Sequence, residues 1–553
     1  MKKTLLALLL ALVMILSVMP MSASAEAKDI FITYVDGWTE LDPAADPCSP
    51  ILTEIANKTG LRINFNVVDG DRADVLMANG ELGDLVMIYS ASDLLTAIES
   101  ELVIEMSELV KEHAPNIAAN ADRLKMAEVL SGTEDGTYYF LPVQTGSEGA
   151  PGTPYHSLYL TRWDLYKQLG SPEITNLDEY LDMLIEMQKL EPKTADGKTV
   201  YAYSLNFESV RDVVWPWHYT FGYYTSNDFI NTNINTGEMV YEPLDENGPF
   251  WSILEYFNKV NKAGLLDPDS FTQTSDDRKA KVTAGQVLCP IWSSYGGGFE
   301  AANETADSFK GFQVLPVEGT TYWCNSYYTG GWDACFVGIT STCEDPASAL
   351  KLLDFLSTEE GARLINSGVQ GVHWDYDANG VPVVDETIIK NYMEWNADWS
   401  ALGAQDGIFQ SITGPGIGEI HSDGYPMNLF LTGQVFEKQL NACDIDYCET
   451  YGAAYPMEVL LKKMEEGTIN DHINDIFDMR VVTGMGSAPE DIARIDEMIC
   501  NKALELVPSV IMAEDFAAAK AEALETLWGY RGEEARGWWQ ARHDSLTELF
   551  CGE

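Results

Sequence analysis

Basic residues are scarce in this chain: 34 lysines and arginines stand against 86 aspartates and glutamates, a formal charge of −52 over 553 residues. Such a surface repels nucleic acid, acidic membrane faces and polyanions, and it favours solubility. Cysteine is scarce too. Nine in a chain this long make no disulfide scaffold, and an odd number leaves at least one thiol unpaired. Cys443 with Cys448 could close a small loop, and Cys335 with Cys343 could cross a hairpin; spacing decides neither. No Cys-x-x-Cys knuckle offers a zinc site. Beyond residue 25 no stretch approaches the ~20 uninterrupted apolar residues of a membrane-spanning helix.

Catalytic signatures are also missing. His113, His156, His218, His373, His421, His472 and His543 never fall in a His-Glu-x-x-His spacing, so they read as structural or surface residues. The stretch GPGIGE at 414–419 lacks the preceding strand and the following Lys-Ser or Lys-Thr of a phosphate loop, and it reads as a turn. No Gly-x-Ser-x-Gly elbow occurs. A glycosidase needs only two carboxylates about 5–9.5 Å apart, so a secreted glycoside hydrolase or lyase stays open on the residues alone. No single acid stands out for that work.

What is present begins with MKKTLLALLLALVMILSVMPMSASA. Two lysines, an apolar run and the small Ala23-Ser24-Ala25 pattern predict a secretory signal over 1–25, cleaved before Glu26. Segments 29–35, 61–68 and 84–90 are strand-like, with helix-compatible stretches between them. This β-α-β-α-β order predicts a parallel sheet with helices on its faces, and ligands in such sheets bind beyond the carboxyl ends of the strands. At this length at least two lobes are expected. The expected division is 26–145 as the start of the first lobe, 146–329 as the second, 330–430 as the return to the first with cleft segments, and 431–553 as a mainly helical portion packing on the second lobe and hinge. Two capping boxes are expected, Thr175 with Asp178 and Ser357 with Glu360, and Asp345-Pro346 reads as a helix start.

Aromatic residues cluster where the chain looks like loop: VVWPWHY (213–219), IWSSYGGGF (291–299), TTYWCNSYYTGGW (320–332) and GVQGVHWDY (368–376). Flat rings beside small, amide and hydroxyl side chains suit a wet cleft for a neutral polar ligand. Trp38, which follows the first strand, Trp215, Trp217, Trp292, Tyr295, Trp332 and Trp374 are the candidate ligand residues, and Pro216 between Trp215 and Trp217 can turn those two apart.

In order along the chain, NGELGDLVMI (79–88), YLTRWDLYKQLGSPEITNLDEYLDMLIEM (159–187), GLLDPDSF (264–271), GWDACFVGITSTCEDPASALKLLDFLSTEEG (331–361) and GVQGVHWDY (368–376) resemble the long, oligosaccharide-associated subgroup of extracellular solute-binding proteins of bacterial ABC importers. The subgroup is lipoprotein-like, and here no cysteine precedes Cys48. The resemblance implies an α/β, two-lobed periplasmic-binding-protein fold with an interlobe cleft. It also implies an oligosaccharide ligand, an ABC permease as partner, a monomer outside the cytoplasm, and no enzyme activity, cofactor or nucleic acid. A third reading, uptake of a peptide or other non-sugar solute, fits the same fold. Asp84 is the polar group the resemblance places near the cleft, and Arg162 with Asp164 matches a motif that braces the second lobe. Many relatives carry a calcium loop after the helix matching 176–190; here EPKTADGKTVYAYS (191–204) keeps Asp196 and Gly197 but few other oxygen donors, so no metal is expected.

Overall fold

The computed structural model describes residues 27–35, 49–68, 70–133, 135–146, 150, 159–207, 215–227, 229–305, 308–322, 331, 335–394, 412–470 and 477–552. Three strands open the fold: β1 Lys28–Val35, β2 Leu61–Val68 and β3 Leu85–Ile88. β1 runs parallel to both neighbours, with Lys28 opposite Leu61 and Ile32 opposite Leu85. Helices Pro50–Thr59 and Gly70–Asn79 make the connections. Ser49 caps the first by accepting from the Leu52 amide at 3.2 Å, and Pro50 fills the first helical position, where its missing N–H costs nothing.

β4 (Phe140–Pro142) and, far along the chain, Phe336–Ile339 complete this sheet. Between them come β5 (Leu160–Arg162), β6 (Tyr223–Asn227), β7 (Ile230–Asn233), β8 (Met239–Tyr241) and β9 (Phe312–Val314), so Phe336–Ile339 is β10. The order is β2-β1-β3-β10-β4, with β10 antiparallel to β3 and β4. Every residue of β3 is buried, because helices cover both faces. Leu85 and Met87 pack with Ile30, Leu353 and Ile365 on one face. Val86 and Ile88 pack with Leu94, Met126 and Phe140 on the other.

A separate core draws on residues 159–317 and 443–546, around the pair β5-β9, the three-stranded β6-β7-β8 and the long helices Pro249–Lys262, Glu490–Ile511 and Gly532–Cys551. The first-lobe core ends at Val143, resumes at Cys335 and ends again at Val435. Among the described residues the chain therefore changes core three times, between Val143 and Tyr159, between Val317 and Cys335, and between Val435 and Cys443. The C-terminal helices share the second core with the strands, which is where their apolar faces find cover.

Several sequence expectations shift. Asn176, not Thr175, caps helix Leu177–Leu190, and Glu179 reaches back to the Thr175 amide at 2.9 Å. Thr358, not Ser357, caps helix Glu359–Ser367, while Asp345 caps Pro346–Leu356 as its sequence implies. Neither candidate disulfide forms: Cys343, Cys443 and Cys448 are free thiols, and Cys443 and Cys448 lie on the single helix Ala442–Tyr451. Cys48 and Cys324, like the expected signal, lie outside the described residues.

Candidate functional site

A parallel sheet with order β2-β1-β3 has a switch point between its second and third strands, and the crevice beyond the carboxyl ends there is where ligands enter such folds. Val35 ends β1 at this rim, and Tyr89-Ser90 follow β3. Ser90 turns the chain into helix Ala91–Glu99, its hydroxyl accepting from the Asp93 amide at 3.1 Å. Phe336 pairs with both Ile88 and Pro142, so β10 starts and β4 ends at the same rim. Two of the crossovers consequently lie beside the crevice. Gly331 on the returning crossover has φ of +93°, and a β-carbon there would stand 2.6 Å from Pro142 Cβ and 3.0 Å from the Val143 carbonyl, a closeness only glycine permits.

A cavity of about 310 Å³ opens beside the first crossover, lined by Thr145 and Gly146, by residues at the start of helix Ala121–Leu130, by Ser357 and Glu359, and by the segment that begins at Gly414. Helix Ala121–Leu130 packs along β4 with its amino end toward the cavity, and Asn120 caps it by accepting from the Arg123 amide at 3.0 Å. Arg123 is only 2% exposed. Its Nε donates to the Pro142 carbonyl at 2.7 Å and its Nη1 to Ser357 Oγ at 2.8 Å. The segment after residue 411 lies against the first crossover: Gln144 N donates to Thr413 O (2.9 Å), Thr145 N to Gly414 O (2.7 Å) and Gly416 N to Thr145 O (2.9 Å). GPGIGE is thus a pairing segment that ends in a turn at 417–418. A β-carbon on Gly414 would sit 2.8 Å from Ser357 Oγ and 2.9 Å from Arg123 Nη1, so glycine here lets the backbone close over the guanidinium.

Burial pulls the Arg123 pKa down to about 10, and the Asp354 charge opposes that shift. The guanidinium stays cationic. Asn116, Asn120, Asp122, Thr145 and Glu359 add amide, hydroxyl and carboxylate groups to the lining, and among the described residues no aromatic ring belongs to it. Such a wall holds a ligand by hydrogen bonds. Across the gap, Arg480 of helix Met479–Gly484 donates to Asp122 at 2.6 Å while Asp478 grips it at 2.6 Å from behind, tying the second core to the cavity's edge. Nothing in the sequence analysis pointed to Arg123; the signal available was Asn120, a residue type that favours a helix start.

No protein-family model matches the sequence, and no curated protein matches it. Solved structures do. Alginate-binding protein AlgQ2 without calcium ion aligns at 17% identity over 94% of this chain and 98% of its own, with a TM-score of 0.59. An HMO-binding, ABC-transporter-associated solute-binding protein from Bifidobacterium longum infantis aligns at 16% identity over 94% and 99%, with a TM-score of 0.60. The Streptococcus pneumoniae ABC-transporter substrate-binding protein FusA, an EF-hand mutant in complex with fructo-nystose, aligns at 15% identity over 95% and 100%, with a TM-score of 0.57. The chain has the fold of these solute-binding proteins.

On that fold the expected site residues scatter. Trp38, Trp332 and the side chain of Trp215 lie outside the described residues. Trp217 is fully buried in the second core, with Phe257 4.8 Å away edge-on, so it offers a ligand no face. Trp374 is 7% exposed; its Nε1 donates to Gly368 O at 2.9 Å and the Arg363 guanidinium covers its ring at 5.4 Å. Asp84 stands at the amino end of β3, away from the crevice rim, where it accepts from the Phe31 amide at 2.9 Å. Trp292 and Tyr295 come together on one turn, Trp292 half-buried and Tyr295 beneath Arg278 and Lys279 at 5.1 and 5.9 Å.

Arg162 and Asp164 form a fork-to-fork pair with both contacts at 2.7 Å. Glu191 adds two contacts at 3.3 Å, Lys310 reaches Glu191 at 2.7 Å, and the Phe299 ring lies 4.8 Å from the Arg162 guanidinium carbon. Strand, helix and loop are joined at one point. The loop after Leu190 closes on itself, Thr194 N donating to Lys198 O at 2.9 Å, and the Lys198 ammonium stands 3.9 Å from Asp196 where a cation would have to sit. Among the described residues no cluster of three His, Cys, Asp or Glu side chains is placed to hold a metal.

Near the root of the third crossover, burial first and then the charges of Asp444 and Glu304 push the Glu300 carboxyl up to about 7 from its ordinary 4.5. Its Oε1 accepts from the Phe312 amide at 2.9 Å. Between those two values the folded chain keeps a proton that the unfolded chain has released. The associated stability is full below 4.5 and is lost as the pH rises through 7. Glu300→Gln, neutral at every pH, is expected to flatten the fall in melting temperature between about pH 5 and about pH 8, an effect worth roughly 1–3 kcal/mol. Parallel melting curves for wild type and variant would refute the assignment.

Proposed function

We propose that this protein is an extracytoplasmic receptor of an ABC importer that captures a neutral or weakly charged oligosaccharide between its two lobes and delivers it, as a monomer, to the permease. The observation that carries this reading is the set of three chain passages between two separately cored lobes, two of them beside the rim where an α/β sheet binds ligands. Passages of that kind absorb rotation while each core stays packed, which is what capture by closure requires. The ligand class is supported by the names of the similar proteins, which bind alginate, HMO or fructo-nystose. Among those, the charge of −52 favours uncharged chains over polyuronates. Catalysis is not part of the proposal.

The test is titration calorimetry against neutral oligosaccharides combined with small-angle scattering. Binding with a reduced radius of gyration, and recovery of the sugar unchanged after long incubation, is the expected result. Shortened glycan products would establish the hydrolase or lyase instead, and tight binding of peptides alone would move the ligand class.

A further inference from the structure

We infer that the Arg123 cavity is a distinct hydrogen-bonding subsite for a single uncharged sugar ring at one end of the oligosaccharide, with Arg123 as its specificity-determining residue. This rests on the saccharide-receptor reading above. Arg123 is 2% exposed and lines the cavity, and among the described residues its hydrogen bonds run from Nε and Nη1 while Nη2 makes none. A desolvated guanidinium ordinarily has a carboxylate against it. Asp354, the nearby acid that opposes the fall in its pKa, is committed elsewhere: its oxygens accept from Asn116 N and Nδ2 at 2.8 Å each and from Ile117 N at 3.0 Å. The fork is therefore fixed by Pro142 and Ser357 and presents spare donors to whatever enters.

The rest of the wall selects the occupant. Asp122 and Glu359 hold negative charge at the rim and repel uronate or sulfate groups. The described lining is amide, hydroxyl, carboxylate and guanidinium with no aromatic ring, so the cavity reads the hydroxyl edge of a sugar rather than its face. Its volume, about 310 Å³, lies at the small end of ligand pockets and suits one ring, not a chain. Thr145 belongs to the first crossover and Asp122 holds Arg480 of the second lobe, so a ring seated here touches both the passage and the contact that spans the lobes.

Two variants separate this subsite from the rest of the cleft. Ile420→Trp fills the cavity from its rim without removing a hydrogen bond of the Arg123 network, and Arg123→Lys keeps the charge but loses the fork. Wild type and both variants are titrated with kestose, nystose, maltotriose and lacto-N-tetraose, with an alginate trisaccharide as the charged probe, after melting curves confirm that each is folded. The expected result is at least tenfold weaker binding of the best neutral probe by Ile420→Trp and by Arg123→Lys. Wild-type affinity retained by Ile420→Trp overturns the subsite and leaves the receptor reading standing. Preference of the wild type for the alginate trisaccharide overturns the uncharged class. Failure of the wild type to bind any probe overturns the receptor reading and the subsite together.

Discussion

Replacing Arg162 with alanine is expected to destabilise the second lobe by about 3–5 kcal/mol, the usual cost of removing one partner from a buried ion pair. The guanidinium is fully buried, and the carboxylate groups it serves are nearly so, with Asp164 at 9% and Glu191 at 20% side-chain exposure. Without Arg162, Asp164 is left in a nearly buried site without the guanidinium that now faces it. Glu191 fares better, because Lys310 still reaches it at 2.7 Å. The same network holds the end of β5, the start of helix Trp163–Gln168 and the loop after helix Leu177–Leu190, so the loss is felt in three elements. Arg162→Lys should recover only part of it, since an ammonium cannot make both 2.7 Å contacts of the fork. Urea denaturation followed by tryptophan fluorescence measures the difference. A shift below about 1 kcal/mol, the range of exposed pairs, would mean that the network carries no structural weight.

The alternation of the first lobe was legible because burial there follows chain periodicity. Ile30, Ile32 and Tyr34 sit on one side of β1, and a four-residue apolar run can only be a strand covered on both faces, as β3 is. The bracing role of Arg162 and Asp164 came from the family resemblance of their segment; the structure adds that a strand end running into the first turn of a helix sets the two side chains side by side. The cavity was not legible, because Arg123 comes from helix Ala121–Leu130, Thr145 from a crossover and Gly414 from a segment 269 residues beyond Thr145. Only the closed backbone brings them together. The helix caps slipped by one residue where two consecutive residues could each serve, Thr175 or Asn176 and Ser357 or Thr358, and the local turn geometry chose the second in both cases. Trp217 and Trp374 are buried, and the reason the sequence did not mark them as core is physical. A ring that is large and apolar satisfies a core as well as it satisfies a sugar, and composition does not separate the two.

Trp217 turns that ambiguity into a measurement. Trp217→Ala is expected to cost about 3–5 kcal/mol of stability, as for other buried tryptophans cut back to a methyl group. Well below the melting temperature, it should leave ligand affinity unchanged. The ring is 0% exposed and meets Phe257 and Tyr203 edge-on, with centroids 4.8 and 5.7 Å away, so its removal opens a cavity in the middle of the second core. Among the described residues the buried indole Nε1 has no hydrogen-bond acceptor, so the lost stability is packing and apolar burial and no hydrogen bond is lost with the ring. Trp217→Phe should therefore recover most of the loss, since it restores ring contact and removes the unsatisfied N–H. A stacking residue behaves in the opposite way: its alanine variant melts where the wild type does and binds sugar less well. Melting curves and titrations on the same samples distinguish the two patterns. Weakened binding at unchanged stability would place Trp217 against the ligand and require the helix Trp215–His218 to open toward the cleft.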